Sequence, residues 1–189
     1  MKKLLYILLF VPLALFGQSV QIGDNTFGGY VFYVDESGKQ GLIASQLDIE
    51  GVFQWGCYGN SLEGLTNTGL GSGQTNTDNV ISIGCLAGND NAGDINTAAF
   101  ACSNYVMSGY ADWFLPSLDE LSLLYDNYVV NNYTSFGSLT WDYWTSSGDG
   151  YSTAFRIGVD NGGYGSSYKD SWYAVRPIRS FIIGCRDSS

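Results

Sequence analysis

Apolar residues recur at helical spacing at Leu118, Leu121, Leu124, Tyr125 and Tyr128, directly after Pro116 and Ser117. A stripe of that length predicts a helix of about three and a half turns that must bury one face against a core. Side-chain chemistry marks its start. Ser117 is the expected N-cap: its hydroxyl accepts from the Glu120 N–H while the Glu120 carboxylate accepts from the Ser117 N–H, which is a capping box. Asp119 and Glu120 also place negative charge at the positive end of the helix dipole.

Elsewhere the pattern is shorter in period. Residues 30–34 and 41–44 are β-rich and flank a charged, glycine-containing turn, which predicts a hairpin. Short strands are expected at 20–23 and 52–55. From 58 to 79 the composition turns to Gly, Asn, Thr and Ser and predicts a long loop. Thr77 is the expected cap of a short helix carrying Val80, Ile81 and Ile83 and ending at Gly84. Ile95, Ala98, Ala99, Cys102 and Val106 share one face of a further helix, with Asp94 as N-cap and Gly109 as the glycine past its end. Strands are expected at 143–147, 153–159, 163–168 and 172–181. Pro177 has no N–H, so the last of these must lie at a sheet edge or carry a bulge. The sum is an α+β domain, with helices in the first half and a curled antiparallel sheet built from the second half and the N-terminal hairpin.

The first residues change the picture. Lys2 and Lys3 precede an apolar run over 4–16, followed by Gly17, Gln18 and Ser19. At about thirteen residues the run is short for a membrane span of about twenty, and it reads as a signal peptide over 1–18. A single exported domain over 19–189 is expected, secreted or at the cell surface. The full chain carries 8 basic and 18 acidic residues; without Lys2 and Lys3 the formal charge falls from −10 to −12. Nucleic acid is excluded as a partner, because it requires a basic footprint. Acidity of this kind keeps an exported domain soluble.

Four cysteines in an exported chain, Cys57, Cys85, Cys102 and Cys185, are expected as two disulfides. Of the three connectivities, Cys85 with Cys102 and Cys57 with Cys185 is preferred: the first links neighbouring helical segments and the second closes the ends of the domain. With no histidine in the chain, no metal site is expected.

The phrase Gly109-Tyr-Ala-Asp-Trp-Phe-Leu-Pro-Ser-Leu-Asp-Glu-Leu121 resembles the signature of the Lcl C-terminal domain family, the terminal module of bacterial collagen-like adhesins and of many small secreted proteins. Gly28 to Tyr33, Gln54 to Gly59, Tyr143 to Ser147 and Tyr173 to Arg179 fall in that family's order. The resemblance implies a C-type-lectin-like fold, with two or three helices, a curled antiparallel sheet and termini brought together. It further implies a non-catalytic adhesion module that attaches to polysaccharide. The collagen-like stalk of the adhesins is absent from this chain.

The residues themselves favour binding over catalysis. Histidine, the commonest general base, is missing; no nucleophile elbow is present, and the run Gly69 to Gly73 lacks the lysine of a phosphate loop. No enzyme activity and no cofactor are expected. Calcium is signalled only by Asn89, Asp90, Asn91 and Asp94 and by Asp160 with Asn161, which match no calcium loop and fit turn chemistry. By contrast Trp141, Tyr143, Trp144, Tyr151, Tyr164, Tyr168, Trp172 and Tyr173 crowd one third of the chain, interleaved with Asp142, Asp149, Asp160, Asn161 and Asp170. Aromatic faces stack on sugar rings while carboxylates and amides bond hydroxyls. Trp144 and Trp172 are assigned to the core. Tyr151, Asp160, Asn161, Tyr164, Tyr168 and Asp170 are the expected ligand-binding residues, with a glycan or a protein at the cell surface as partner. The alternative is a structural subunit of an extracellular or envelope assembly. At least one of Arg176 and Arg179 is expected to pair internally with Asp112, Asp119 or Glu120.

Overall fold

In the computed structural model the described residues are 19–85, 96–130, 142–158, 160 and 162–184, with the side chains of 128–130 also set aside. The signal peptide, the Asn89–Asp94 loop, Trp141, Asn161, Cys185 and the side chain of Tyr128 therefore lie outside them.

The chain is α+β, with antiparallel sheets and three helices among the described residues. Twelve elements follow in order: β1 (Asn25–Thr26), β2 (Gly29–Val34), β3 (Gln40–Ser45), β4 (Phe53–Gln54), α1 (Gly73–Ser82), α2 (Ala98–Ser103), α3 (Leu118–Val130), β5 (Tyr143–Gly148), β6 (Thr153–Ile157), β7 (Tyr164–Tyr168), β8 (Trp172–Tyr173) and β9 (Ile178–Ile182). The predicted hairpin is β2–β3, and β9 returns to pair with β3 along Gln40–Ile182 to Ala44–Ile178, so the last strand meets the N-terminal hairpin as expected. The sheet is not single. Its order is β1-β2-β3-β9, while β4-β8 and β5-β6-β7 form separate sheets. The division falls at Pro177. In the stretch linking β8 to β9 it has no N–H to offer a ladder, while its carbonyl accepts from the Ser45 N–H at 2.9 Å.

Both faces of the four-stranded sheet are covered, which explains why β2 reads as a continuous apolar run. Val31 and Ile43 pack on Trp113 and Phe181 on one side. Phe32, Leu42 and Ala44 on the other side meet Leu118, Leu121 and Leu124 of α3 together with Tyr143 and Ile157. A third cluster gathers Trp55, Trp144, Val80, Ala98, Ala99 and Leu115 between α1, α2 and the β4 and β5 strands. Each buried indole finds an acceptor: Trp55 donates to the Thr145 carbonyl at 2.7 Å and Trp144 to the Phe53 carbonyl at 2.8 Å.

The capping box at α3 is present. Ser117 N–H donates to Glu120 Oε2 at 2.8 Å, and Glu120 N–H donates to Ser117 Oγ at 3.3 Å. Glu120 is wholly buried, and its other oxygen accepts from the Gly71 N–H at 2.9 Å. One carboxylate thus caps α3 and ties down the loop that opens α1.

Several expectations fail for reasons visible in the packing. Residues 20–23 form a turn; β1 begins at Asn25. The stretch read as a loop to residue 79 becomes helical at Gly73, with Ser72 at the N-cap. Thr77 is no cap. It lies inside α1, where its hydroxyl donates to Gly73 O and accepts from the Leu115 N–H at 3.1 Å, so tertiary contacts extend the helix backward. The α2 cap is Thr97, whose side chain accepts from the Phe100 N–H, and the helix stops at Ser103. Val106 is exposed, and Gly109 belongs to a turn that pairs Met107 with Tyr110. Asp94 and Ile95 lie outside the described residues.

The disulfide expectation is also corrected. Cys57 bonds Cys85, with Cα atoms 4.6 Å apart. The turn after α1 brings Cys85 back to the segment following β4. Cys102 is a buried free thiol on α2 within the same apolar cluster. The expected pairs of Cys85 with Cys102 and Cys57 with Cys185 are thereby excluded.

Arg179 grips Asp112 through two bonds of 2.7 Å and stacks 3.9 Å from the Tyr110 ring centre. That pairing holds the Asp112 carboxyl below its ordinary range. Arg176 donates to Asp48, whose other oxygen accepts from the Tyr143 hydroxyl at 2.7 Å. Both arginines are internal, and Asp48 is a partner that sequence spacing does not reveal.

Candidate functional site

Aromatic side chains reach the surface at one end of the β5-β6-β7 sheet. Tyr151, in the β5–β6 turn, is 67% exposed, and Tyr168 at the end of β7 is 61% exposed. Across from Tyr168 stands Tyr58, with ring centres 6.3 Å apart. Between the β5–β6 turn and the loop after Tyr58 lies a cleft of about 420 Å³ lined by Ser61, Glu63, Thr66, Gly148, Asp149 and Tyr151 among others. Of these tyrosines Tyr151 lines this cleft, and clefts of about 400 and 490 Å³ elsewhere are lined by none of them.

The local sequence sets the walls. Gly150 takes φ +93, a conformation that a side chain would strain, and so turns the chain sharply between β5 and β6. Asp149 N–H donates to the Thr153 carbonyl at 2.9 Å, and the Asp149 carboxylate accepts from the Ser166 hydroxyl. On the opposite wall Thr66 Oγ1 accepts from the Gly148 N–H at 3.0 Å.

Lys169 braces both walls from below. Its side chain is completely buried, and Nζ donates to the carbonyls of Asn60 at 3.0 Å, Gly150 at 3.0 Å and Tyr151 at 3.1 Å. The ammonium also lies 4.9 Å from the centre of the Trp55 ring. Burial pushes its pKa down to about 8. This one side chain holds the 58–66 loop and the β5–β6 turn at a fixed separation, so the cleft is formed before any ligand arrives. Preorganisation of that kind reduces the ordering cost of binding.

The expected ligand residues divide into two groups. Tyr151 lines the cleft, and Tyr168 stands at the same end of the sheet against Tyr58. Asp170 is in the turn after Lys169, and its carbonyl accepts from Gln54 Nε2 at 2.9 Å. Tyr164 and Asp160 are at the other end of the β6–β7 hairpin, and both are exposed. Tyr168 lies four residue steps along β7 from Tyr164, about 13 Å at ~3.3 Å per residue. Asn161 lies outside the described residues. Trp144 is core, as assigned, but Trp172 is not: it is 55% exposed, because the two-residue β8 presents Tyr173, not Trp172, to the Trp144 ring, 4.8 Å away. Sequence reasoning missed Tyr58, Glu63 and Lys169. Tyr58 and Glu63 fall in the run read as an uninformative loop, and nothing in the residues around Lys169 signals its burial.

The cleft presents carboxylates, hydroxyls and the exposed Tyr151 ring, a set suited to hydrogen-bonding a polyol and stacking on its apolar face. Among the described residues no group of three metal-ligating side chains converges, and no helix is long and apolar enough to cross a membrane.

No family model matches the chain, and no curated protein matches it. Among solved structures it is similar to a fimbrial protein from Bacteroides ovatus ATCC 8483, with a TM-score of 0.50 at 15% identity. The similarity covers 75% of this chain and 36% of that one, so this chain spans little more than a third of the fimbrial protein's length.

Proposed function

We propose that this chain is an exported, non-catalytic binding module of the C-type-lectin-like, Lcl C-terminal kind, and that it takes a saccharide at the cleft lined by Tyr151, Glu63 and Asp149, with the Tyr58–Tyr168 pair at the same end of the sheet. The observation that carries this reading is the preformed cleft: the exposed Tyr151 ring beside Glu63 and Asp149, with both walls braced by the Lys169 ammonium. The disulfide fits an oxidising compartment outside the cytoplasm, as does the signal peptide expected over 1–18. The absence of histidine weighs against general acid–base catalysis.

The test is an array of neutral, acidic and sulfated glycans probed with the oxidised domain, with calcium and again with chelator. Binding should survive chelation, fall at least tenfold in Tyr151→Ala and Tyr168→Ala, and persist in Tyr164→Ala. Equal losses in all three variants would overturn the assignment to the cleft. A structural subunit of an envelope or extracellular assembly is the second reading, supported by the likeness to a fimbrial protein. Absence of binding to every glycan, with co-purification in large surface assemblies, would favour it.

A further inference from the structure

Among the described residues the outer edge of β7 is not paired with any strand, and the register shows which of its backbone groups face outward. Just beyond the ends of the β6–β7 ladder, Gly158 N–H donates to the Gly163 carbonyl at 2.9 Å and Lys169 N–H to the Ser152 carbonyl at 2.8 Å. Between these points the register runs from Thr153–Tyr168 to Ile157–Tyr164 with no shift. Antiparallel pairs alternate between bonded and non-bonded, so Ala154–Ser167 and Arg156–Gly165 are the bonded pairs. The N–H and C=O groups of Tyr164, Ser166 and Tyr168 consequently point away from β6. The Tyr168 carbonyl accepts from the Ser171 N–H at 2.9 Å. Among the described residues no strand lies beyond β7.

An edge of this kind is normally blunted by a lysine, a proline or a bulge. β7 reads Tyr-Gly-Ser-Ser-Tyr and has none of these. It is also matched to itself. When two copies run antiparallel about Ser166, Tyr164 of each faces Tyr168 of the other, and Ser166 faces Ser166. The outward-pointing residues are the same three, so every cross-copy pair falls in the bonded position. Tyrosines 67% and 61% exposed in the single chain then become cross-strand aromatic pairs.

We propose that β7 is the interface strand of a two-fold dimer, pairing antiparallel with β7 of a second copy about Ser166. The two three-stranded sheets join into one of six strands. Because the contact is isologous it closes at two copies and does not propagate into a fibre. It sets Tyr164 of the second copy beside Tyr168. The chain is acidic, with a net charge of −10, and each Asp149 carboxylate stands at its own Ser166 hydroxyl, so the two copies repel and salt strengthens association. The pairing rests on the strand edge alone and stands whether or not the cleft takes a saccharide.

The test needs no glycan. In a Cys185→Ser background of the secreted protein, Ser166→Cys places two thiols opposite each other at about 5.5 Å between Cα atoms, within cystine reach. Mild oxidation should convert it to a covalent dimer and to nothing larger. Tyr164→Cys alone should stay monomeric, since its own copy lies about 13 Å along the strand. Mixed with Tyr168→Cys, it should crosslink. Light scattering on the uncrosslinked parent should show a dimer fraction that rises with concentration and between 0.05 and ~0.5 M salt, and Ser166→Lys should abolish it with an unchanged circular dichroism spectrum. Crosslinking of Tyr164→Cys alone as fast as Ser166→Cys, a ladder of higher species, or a parent monomeric at high concentration in both salts would overturn the proposal.

Discussion

The Lys169 ammonium sits 4.9 Å from the centre of the Trp55 indole and donates to the carbonyls of Asn60, Gly150 and Tyr151. Lysine is rarely buried this completely without a carboxylate. Here three backbone acceptors and one aromatic face replace the counter-ion. The residue staples two loops that are far apart in sequence.

Lys169→Met keeps the length of the chain and removes the donors. Three buried carbonyls lose their partner, and we expect a loss of about 3 kcal/mol in urea unfolding. Faster hydrogen exchange should be confined to the 58–66 loop and the β5–β6 turn. A uniform change in exchange across the domain would show that the lysine supports the whole fold and not the cleft walls.

The same residue sets a pH dependence. Its pKa is about 8 in the folded chain and ~10.4 when unfolded, so between those values the unfolded chain binds more protons. Its contribution is present above about pH 10.4 and is lost as pH falls through about 8. The stability margin of the native protein over Lys169→Met should therefore widen from pH 8 to about 10.4 and stay flat from pH 6 to 7.5. Parallel stability curves across that range would show that the ammonium is not depressed.

Gly73→Ala should reverse the usual helix rule. At an unstrained helical position alanine stabilises by about 0.5–1 kcal/mol relative to glycine. A methyl at Gly73 would collide with Glu120 Oε2 and stand 2.9 Å from the Phe114 ring and 3.0 Å from the Leu115 carbonyl. We expect destabilisation of about 2 kcal/mol. Gly71 N–H exchange should accelerate with it, since the same carboxylate accepts from that group at 2.9 Å.

Non-reducing peptide mapping should recover Cys57 joined to Cys85. The bond closes a loop with a sequence separation of 28, and its removal by Cys57→Ala with Cys85→Ala should cost about 3–4 kcal/mol. Cys102 is buried, which pushes its thiol well above the ordinary value. It should resist iodoacetamide in the native protein and react fully in denaturant. Rapid native alkylation would place it outside the core.

What was legible in the sequence was local. The Ser117–Glu120 capping box and the stripe at Leu118, Leu121 and Leu124 depend on spacing within a few residues, and both are present as read. The β2–β3 hairpin and the four later strands followed from alternation and turns, with Pro177 dividing the last of them. What tertiary structure decided were distances between residues far apart in the chain. At the far end of α1, Cys85 lies 4.6 Å, between Cα atoms, from Cys57; the helix begins at Gly73, where Glu120 accepts from the Gly73 N–H and the Leu115 N–H donates to Thr77 one turn on. Lys169 is a cage and not a surface charge because Asn60 and Tyr151 carbonyls converge on it. Tyr151 and Tyr168 stand at one end of the β5-β6-β7 sheet while Tyr164 stands at the far end of its hairpin, a partition fixed by strand register and direction. Composition could supply the aromatic residues of this surface, but only packing could choose which of them share a site.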